Sequence, residues 1–395
     1  PRLGKTEDFQ KFVKELHKRG MKIIIDTAFN HTGDTFFAFR DAVNKGHESP
    51  YYNWYEWKKW PIPDPLPHGE TLADYYNCWW GFGEMPDLNY DLSRDTPHEN
   101  SVRNISEATP NQPLIDYVLG VADYWIGEMD VDGFRLDVPN EVPFWFWELF
   151  RKRVKTLKSD AYLVGEIWSN ASEWINEKYF DAVMNYAYFK DPVIRFFALR
   201  KCNAQTFDHD LKPALSAYPT QAQKALMNIL DSYDTMRFLQ IAGEDVKRLR
   251  LALLFQMTYI GVPHIWYGDE IGMTGGKDPD NRRPFNWNYE QETWRVELRD
   301  YYRILIQLRK THAVFVDGTF HVITVAGMAY AFLRSNDSET IVVLINNSDS
   351  KHTFVLDNLA SSYTDLLNSR QLIAPEIQIA PMSGLILLAN KEEKL

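Results

Sequence analysis

The stretch "VDGFRLDVPNE" (131–141) decides the fold, because it sets an arginine and an aspartate two residues apart inside an otherwise apolar strand pattern. Residues two apart on a strand share a face. Arg135 and Asp137 are therefore expected to look out together, with Phe134, Leu136 and Val138 on the opposite side. Either charge alone would be costly to bury, so the pair reads as a deliberate charge cluster at the end of a buried strand.

Similar short apolar runs occur at "MKIIID" (21–26), "AYLVGEIW" (161–168), "FDAVMNY" (180–186), "ALMNILDSYD" (225–234) and "VPHIWYGDE" (262–270). Helical patterns separate them, among them "QPLIDYVLGVADYWIGEM" (112–129) and "EDVKRLRLALLFQMTYIG" (244–261). An earlier helix starts with Thr6 as its expected N-cap and stops at Gly20. Strands alternating with helices predict right-handed βαβ units and a parallel sheet, an α/β fold. The polar residues Asp26, Asp137, Glu166, Asn185, Asp234 and Asp269 fall at the C-terminal ends of these runs, where such sheets build active sites. A (β/α)8 TIM barrel is preferred to an open doubly wound sheet. Only six parallel strands can be counted, so the first two strands of the barrel are expected to precede residue 1.

The expected organisation is a first part of the barrel over 1–31 and a loop-rich subdomain over 32–111, inserted over the barrel mouth after the third strand. The remainder of the barrel follows over 112–311, then a C-terminal antiparallel β-sandwich domain over 312–395. The last assignment rests on a change to period two in "FHVITVAGMAYAFLRS" (320–335), "TIVVLINN" (340–347) and "EIQIAPMSGLILLA" (376–389).

Composition narrows the function. A net charge of −11 argues against nucleic-acid and anionic-membrane partners, which select basic faces. No apolar run is long enough to span a bilayer. Two cysteines make a disulfide framework unexpected, and the ten histidines show no metal-ligand spacing. Aromatic residues reach 14%; most of these rings are expected in the core, and a minority clustered in loops would suit stacking against sugar rings. The N-terminus carries no targeting pattern, so localisation is not legible there, a cytoplasmic one being favoured.

Three carboxylates at three strand ends, Asp137, Glu166 and Asp234, point to glycoside hydrolysis with retention. That reaction needs a carboxylate nucleophile and a proton-donating acid. Arg135 is expected to keep Asp137 anionic, and the apolar neighbours of Glu166 to keep it protonated.

These residues resemble a known family. "DTAFNH" (26–31), "GFRLDVPNE" (133–141), "GEIW" (165–168) and "DSYD" (231–234) are similar to the four catalytic motifs of the α-amylase family, glycoside hydrolase family 13. "MPDLN" (85–89), "CWWGF" (78–82) and "GGKDPDNRRPFNW" (275–287) resemble its cyclomaltodextrinase, neopullulanase and maltogenic amylase branch. The resemblance implies Asp137 as nucleophile, Glu166 as acid/base and Asp234 as transition-state stabiliser. It implies substrate contacts by His31, Arg135, Asn140, Glu141, Trp168, Tyr233, Trp79, Trp80 and Arg237, with Asp26 orienting Arg135. The implied substrates are α-1,4-glucans such as cyclodextrins, maltooligosaccharides and pullulan, with transglycosylation as a side reaction. Amylopullulanase, α-glucosidase and a catalytically impaired glucan-binding protein are the alternatives. No cofactor is required. Calcium is allowed at Asn30, although Glu141 stands where that site's histidine would be. A homodimer would form through parts outside this chain.

One motif departs from the family. Tyr233 stands where histidine usually precedes the third carboxylate. A phenol donates one hydrogen bond but carries no positive charge near neutral pH, so a loss of about 1–3 kcal/mol of transition-state stabilisation is expected.

Overall fold

The computed structural model describes residues 4–93, 105–287, 294–357 and 359–390. Part of the expected subdomain, residues 94–104, and the last five residues of the chain lie outside this set. The chain divides into two compact units, residues 1–167 with 171–183, and residues 168–170 with 184–395.

The first unit holds a four-stranded parallel sheet in sequence order: β1 (Ile25–Ala28), β2 (Gly133–Asp137), β3 (Tyr162–Gly165) and β4 (Ala182–Val183). The helices of this unit are α1 (Thr6–Lys18), α2 (Phe37–Lys45), α3 (Gln112–Ala122) and α4 (Phe144–Leu157). Phe134 of β2 and Phe150 of α4 pack edge to face at 5.4 Å, so the apolar face of β2 is buried as its period predicts. The register sets Asp26 opposite Arg135 and Ala28 opposite Asp137. Gly133 lets β2 come this close to β3: its φ is 149°, and a Cβ there would lie 1.9 Å from the carbonyl oxygen of Tyr162.

Two details differ from the sequence reading. The N-cap of α1 is Lys5, because Asp8 accepts the Lys5 N–H at 3.0 Å and draws Thr6 into the first turn. The strand in "MKIIID" begins only at Ile25, since its partner β2 begins at Gly133. The C-terminal ends of α1 and α4 are tied to the segments entering β1 and β2 by Asp132, whose buried carboxylate meets His17 at 2.8 Å, Lys22 at 3.0 Å, Lys158 at 2.8 Å and the Ile23 N–H at 2.9 Å.

The inserted segment is held by rings rather than ladders. Phe39 of α2 packs on Tyr55 at 4.9 Å, Trp57 at 5.8 Å and Tyr76 at 4.9 Å. Isolated bridges such as Cys78 with Pro86 replace strands, and Cys78 is a free, buried thiol.

The second unit contains the parallel pair β5 (Met227–Ile229) and β6 (Val262–His264), with Met184 bridging to Met227. It then builds β7 (Thr319–Ala326), β8 (Ala329–Ser335), β9 (Thr340–Asn346), β10 (His352–Val355), β11 (Ser362–Asp365), β12 (Arg370–Ile373), β13 (Glu376–Ile379) and β14 (Ser383–Ala389). Six of these form one antiparallel sheet in the order β12-β11-β14-β9-β8-β7, and β10 pairs with β13. The period-two pattern of β9 explains the layering. Val342 and Leu344 meet Phe354 and Ile377 of the smaller sheet, while Ile341, Val343 and Ile345 face Leu251 and Phe255 on the helix Val246–Thr258. Among the described residues, no helix is long and apolar enough to cross a membrane.

Burial disfavours the Asp132 anion, but the hydrogen bonds from Lys158, the Ile23 N–H, His17 and Lys22 outweigh it and hold the carboxyl far below the usual range. The folded pKa lies below the unfolded one, so the contribution to stability is complete above about pH 4 and is lost as pH falls further. Asp132→Asn is expected to lower the unfolding free energy at pH 7 by about 2–3 kcal/mol. In urea titrations the gap to the wild type should shrink at pH 3. A gap equal at both pH values would contradict this account.

Candidate active site

In the first unit the charges converge on one guanidinium. Arg135 Nη1 lies 2.9 Å from Asp26 and in close contact with Asp137, and its Nη2 lies 3.0 Å from Glu166. Asp137 is the last residue of β2 and Glu166 the first after β3, so neighbouring parallel strands deliver both carboxylates to the same edge of the sheet. The side chains of Arg135 and Glu166 are each 6% exposed, against 23% for Asp137 and 46% for Asp26. The surroundings of Glu166 thus differ from the apolar pocket expected: a cation faces it, and the Val138 N–H donates to it at 3.3 Å.

Val138 aims that N–H by turning left-handed at φ 40°, ψ 47°. A β-branched residue rarely adopts this conformation, which costs about 1–3 kcal/mol where it is enforced. The short turn Pro139–Glu141 follows and places Asn140 at the surface.

Three rings stand in a row beside this cluster. His31 stacks on Trp79 at 5.3 Å and 18°, and Trp79 stacks on Trp80 at 5.1 Å and 24°. Trp80 is 77% exposed. Its indole N–H donates to Glu141 at 3.3 Å, and the Asn30 amide donates to the other oxygen of Glu141 at 3.3 Å. Trp79 and Trp80, expected to act alike, are therefore different: Trp79 has a ring on either side, and Trp80 keeps an outer face open. Asn30, Lys58, Asp87, Trp79, Trp80 and Glu141 line a cavity of about 420 Å³. Burial lowers the His31 pKa and the charge of Asp137 only partly offsets this, which favours a neutral ring.

In the second unit Asp234 lies five residues beyond the end of β5, on a loop clipped to a second loop by Asn281. The fully buried Asn281 amide donates to the carbonyls of Tyr233 at 2.6 Å, Thr235 at 2.8 Å and Ser232 at 3.3 Å. Arg282 reaches Asp234 at 3.5 Å. Trp168 stacks on Tyr186 at 3.9 Å and 14° while remaining half exposed.

Arg237 departs from expectation. It is fully buried, bonded to Asp269 at 2.9 Å and to the carbonyls of Tyr267 at 2.8 Å and Asn281 at 3.1 Å. Its guanidinium is taken up by protein, so it braces the loops instead of touching a sugar. Sequence reasoning also passed over Asn281 and Arg282, although both stand in the quoted "GGKDPDNRRPFNW", in which Asp278, four residues before Arg282, meets it at 3.1 Å. Calcium finds a poor fit at Asn30, whose amide nitrogen faces Glu141; one amide oxygen and one carboxylate fall short of the six to eight oxygens the ion takes. Among the described residues no group of three or more His, Cys, Asp or Glu could hold a metal.

Known proteins resemble the chain over most of its length. Residues 1–318 match the family model described as the catalytic domain of alpha-amylase. Neopullulanase 2 of Thermoactinomyces vulgaris is 39% identical over 98% of this chain and 63% of its own length. A cyclomaltodextrinase of Thermoanaerobacter pseudethanolicus is 37% identical over 94% of this chain and 60% of its own. The chain thus spans about three-fifths of the length of these relatives. A solved cyclomaltodextrinase structure superposes with a TM-score of 0.85 at 33% identity, covering 98% of this chain and 63% of that one. The fold class is therefore the α/β barrel with a C-terminal β domain.

Removing the shared cation leaves three carboxylates facing one another. Arg135→Gln should lower the unfolding free energy by about 3 kcal/mol in urea titrations at pH 7. Arg135→Lys should recover only part of this, because an ammonium is a point donor and cannot fork between Asp137 and Glu166. Full recovery by lysine would show that charge alone matters there.

Proposed function

The chain belongs to the α-amylase family, and on that premise we propose that it is a retaining glycoside hydrolase acting on α-1,4-glucosidic bonds. The observation that carries the reading is the Arg135 guanidinium bound to both Asp137 and Glu166, which fixes two carboxylates side by side on adjacent strands. Retaining hydrolysis uses such a pair.

In the proposed reaction a carboxylate oxygen of Asp137 attacks the anomeric carbon as the bond to the leaving oxygen breaks. Glu166 gives its proton to that oxygen, releasing the first product. Glu166, now a base, takes a proton from water, whose oxygen displaces Asp137 and restores both carboxyls. A sugar hydroxyl in place of water gives transglycosylation. Asp234 stabilises the positive charge that develops on the ring. Neutral His31 contacts the sugar at the cleavage point and Trp80 offers its open face to a neighbouring ring. Glu141, Asn140 and Trp168 serve the acceptor side. No step uses a metal.

Cyclodextrins, short maltooligosaccharides and pullulan are the proposed substrates; the names of the similar proteins support this class. Tyr233 supports a second reading, a glucan-binding protein with little turnover, because the usual histidine is absent.

Initial rates on β-cyclodextrin, pullulan and soluble starch separate the two. We expect cyclodextrin to be cut fastest, with the α-anomer released first, and Asp137→Asn to be slower by about a thousandfold or more. Tight maltooligosaccharide binding with no turnover would put the binding-protein reading in front.

A further inference from the structure

We propose that Asp231 and Asp269 share a single proton, one carboxyl neutral and the other anionic, and that this pair positions the loop carrying Asp234. The role of Asp234 is taken from the glycosidase reading; the shared proton stands without it. A count of charges makes the case. Both carboxyls are buried, 1% and 6% exposed, and they are in hydrogen-bonding contact with each other. One guanidinium faces them: Arg237, itself fully buried, meets Asp269 Oδ1 at 2.9 Å. Two touching carboxylates out of water cannot both stay ionised against one cation. Asp231 Oδ2 accepts the Phe238 N–H at 2.6 Å, whereas its Oδ1 is buried and receives no other donor among the described residues. A proton held by Asp269 supplies that donor and leaves Asp269 Oδ1 to accept from Arg237.

The other ionisable groups around the pair do not remove the imbalance. Lys190, on the turn Tyr186–Lys190, attracts Asp231 but has its own partner in Asp191 at 3.3 Å. Glu270 adds another negative charge near Tyr302, a buried phenol on the helix Val296–Thr311. Burial, and after it the charge of Asp231, holds the Asp269 carboxyl well above the usual carboxylate range. Asp231 stands three residues before Asp234 and Arg237 three after it, so the pair and its cation grip both ends of the loop. Arg237 also binds the Asn281 carbonyl, and the Asn281 amide holds the carbonyls of Ser232, Tyr233 and Thr235. Asp231 and Asp269 are positioning residues in this account and take no part in bond making.

Asparagine imitates the neutral acid: at 269 its amide donates to Asp231 and its oxygen still accepts from Arg237. Urea titrations from pH 5 to 8 therefore compare the wild type, Asp269→Asn and Asp231→Asn/Asp269→Asn. With a shared proton, the native state keeps a proton that the unfolded chain releases above about pH 4. Stability of the wild type then falls with rising pH relative to Asp269→Asn, by up to about tenfold in unfolding constant per pH unit. A gap that stays constant from pH 5 to 8 would mean two ionised carboxylates and overturn the proposal. The double variant leaves Arg237 facing no anion of the pair and should unfold at lower urea than Asp269→Asn; equal midpoints would also overturn it. On β-cyclodextrin, Asp269→Leu should lower kcat by about tenfold or more with KM within about threefold, and Asp269→Asn should bring kcat back to within about threefold of the wild type. An undisturbed leucine variant, or no recovery with asparagine, would sink the positioning role. Should the wild type cut nothing, the glycosidase reading falls by itself. The urea slopes still decide the shared proton, and the same loss and recovery is then read in calorimetric affinity for maltohexaose.

Discussion

One guanidinium, shared by three carboxylates on neighbouring parallel strands, constrains the rest of the first unit. Arg135 cannot move away from Asp26, Asp137 and Glu166 without stranding buried charge, and β2 cannot move away with it because Phe134 and Leu136 are fully buried on the opposite face. Close strand spacing has its own requirement. Gly133 leaves room for the Tyr162 carbonyl, and at Gly165, just before Glu166, a Cβ would stand 2.8 Å from the Phe180 ring. Electrostatics and sterics thus specify the same register, which is why a carboxyl on β2 and another after β3 arrive together.

This part was legible because period two is a local property. Two positions in one strand fix a face, and the apolar flanks of "GFRLD" say which face is buried. The C-terminal domain was legible for the same reason: alternate residues of β9 face the two layers as the pattern predicts. The barrel order also followed from alternation of strand and helix, although several strands are shorter than the apolar runs that announced them. Met227–Ile229 is three residues of a ten-residue run.

What the sequence hid was set by contacts between distant loops. The row His31–Trp79–Trp80 depends on a left-handed φ of 51° at Trp80, which no periodicity announces. Arg237 shows the opposite error. It lies three residues beyond Asp234, and a cation in that place reads as a sugar contact. Its direction is decided by Asp269 and by the carbonyls of Tyr267 and Asn281, between 30 and 44 residues away in the chain. Residue type told that a charge was present, and only packing told where it points.

Strain sits at the junction between these two kinds of information. Val138 follows Asp137 at φ 40°, and the cost of that conformation has to be met by its neighbours. The next residue, Pro139, has a fixed φ, and its carbonyl accepts the buried Trp147 indole N–H of α4 at 2.8 Å. Helix α4 therefore holds the turn closed from below. A glycine at 138 would relax the backbone, but it would also release the direction of the N–H that meets Glu166. The packing of α4, a core feature, in this way keeps one donor aimed at the Glu166 carboxyl.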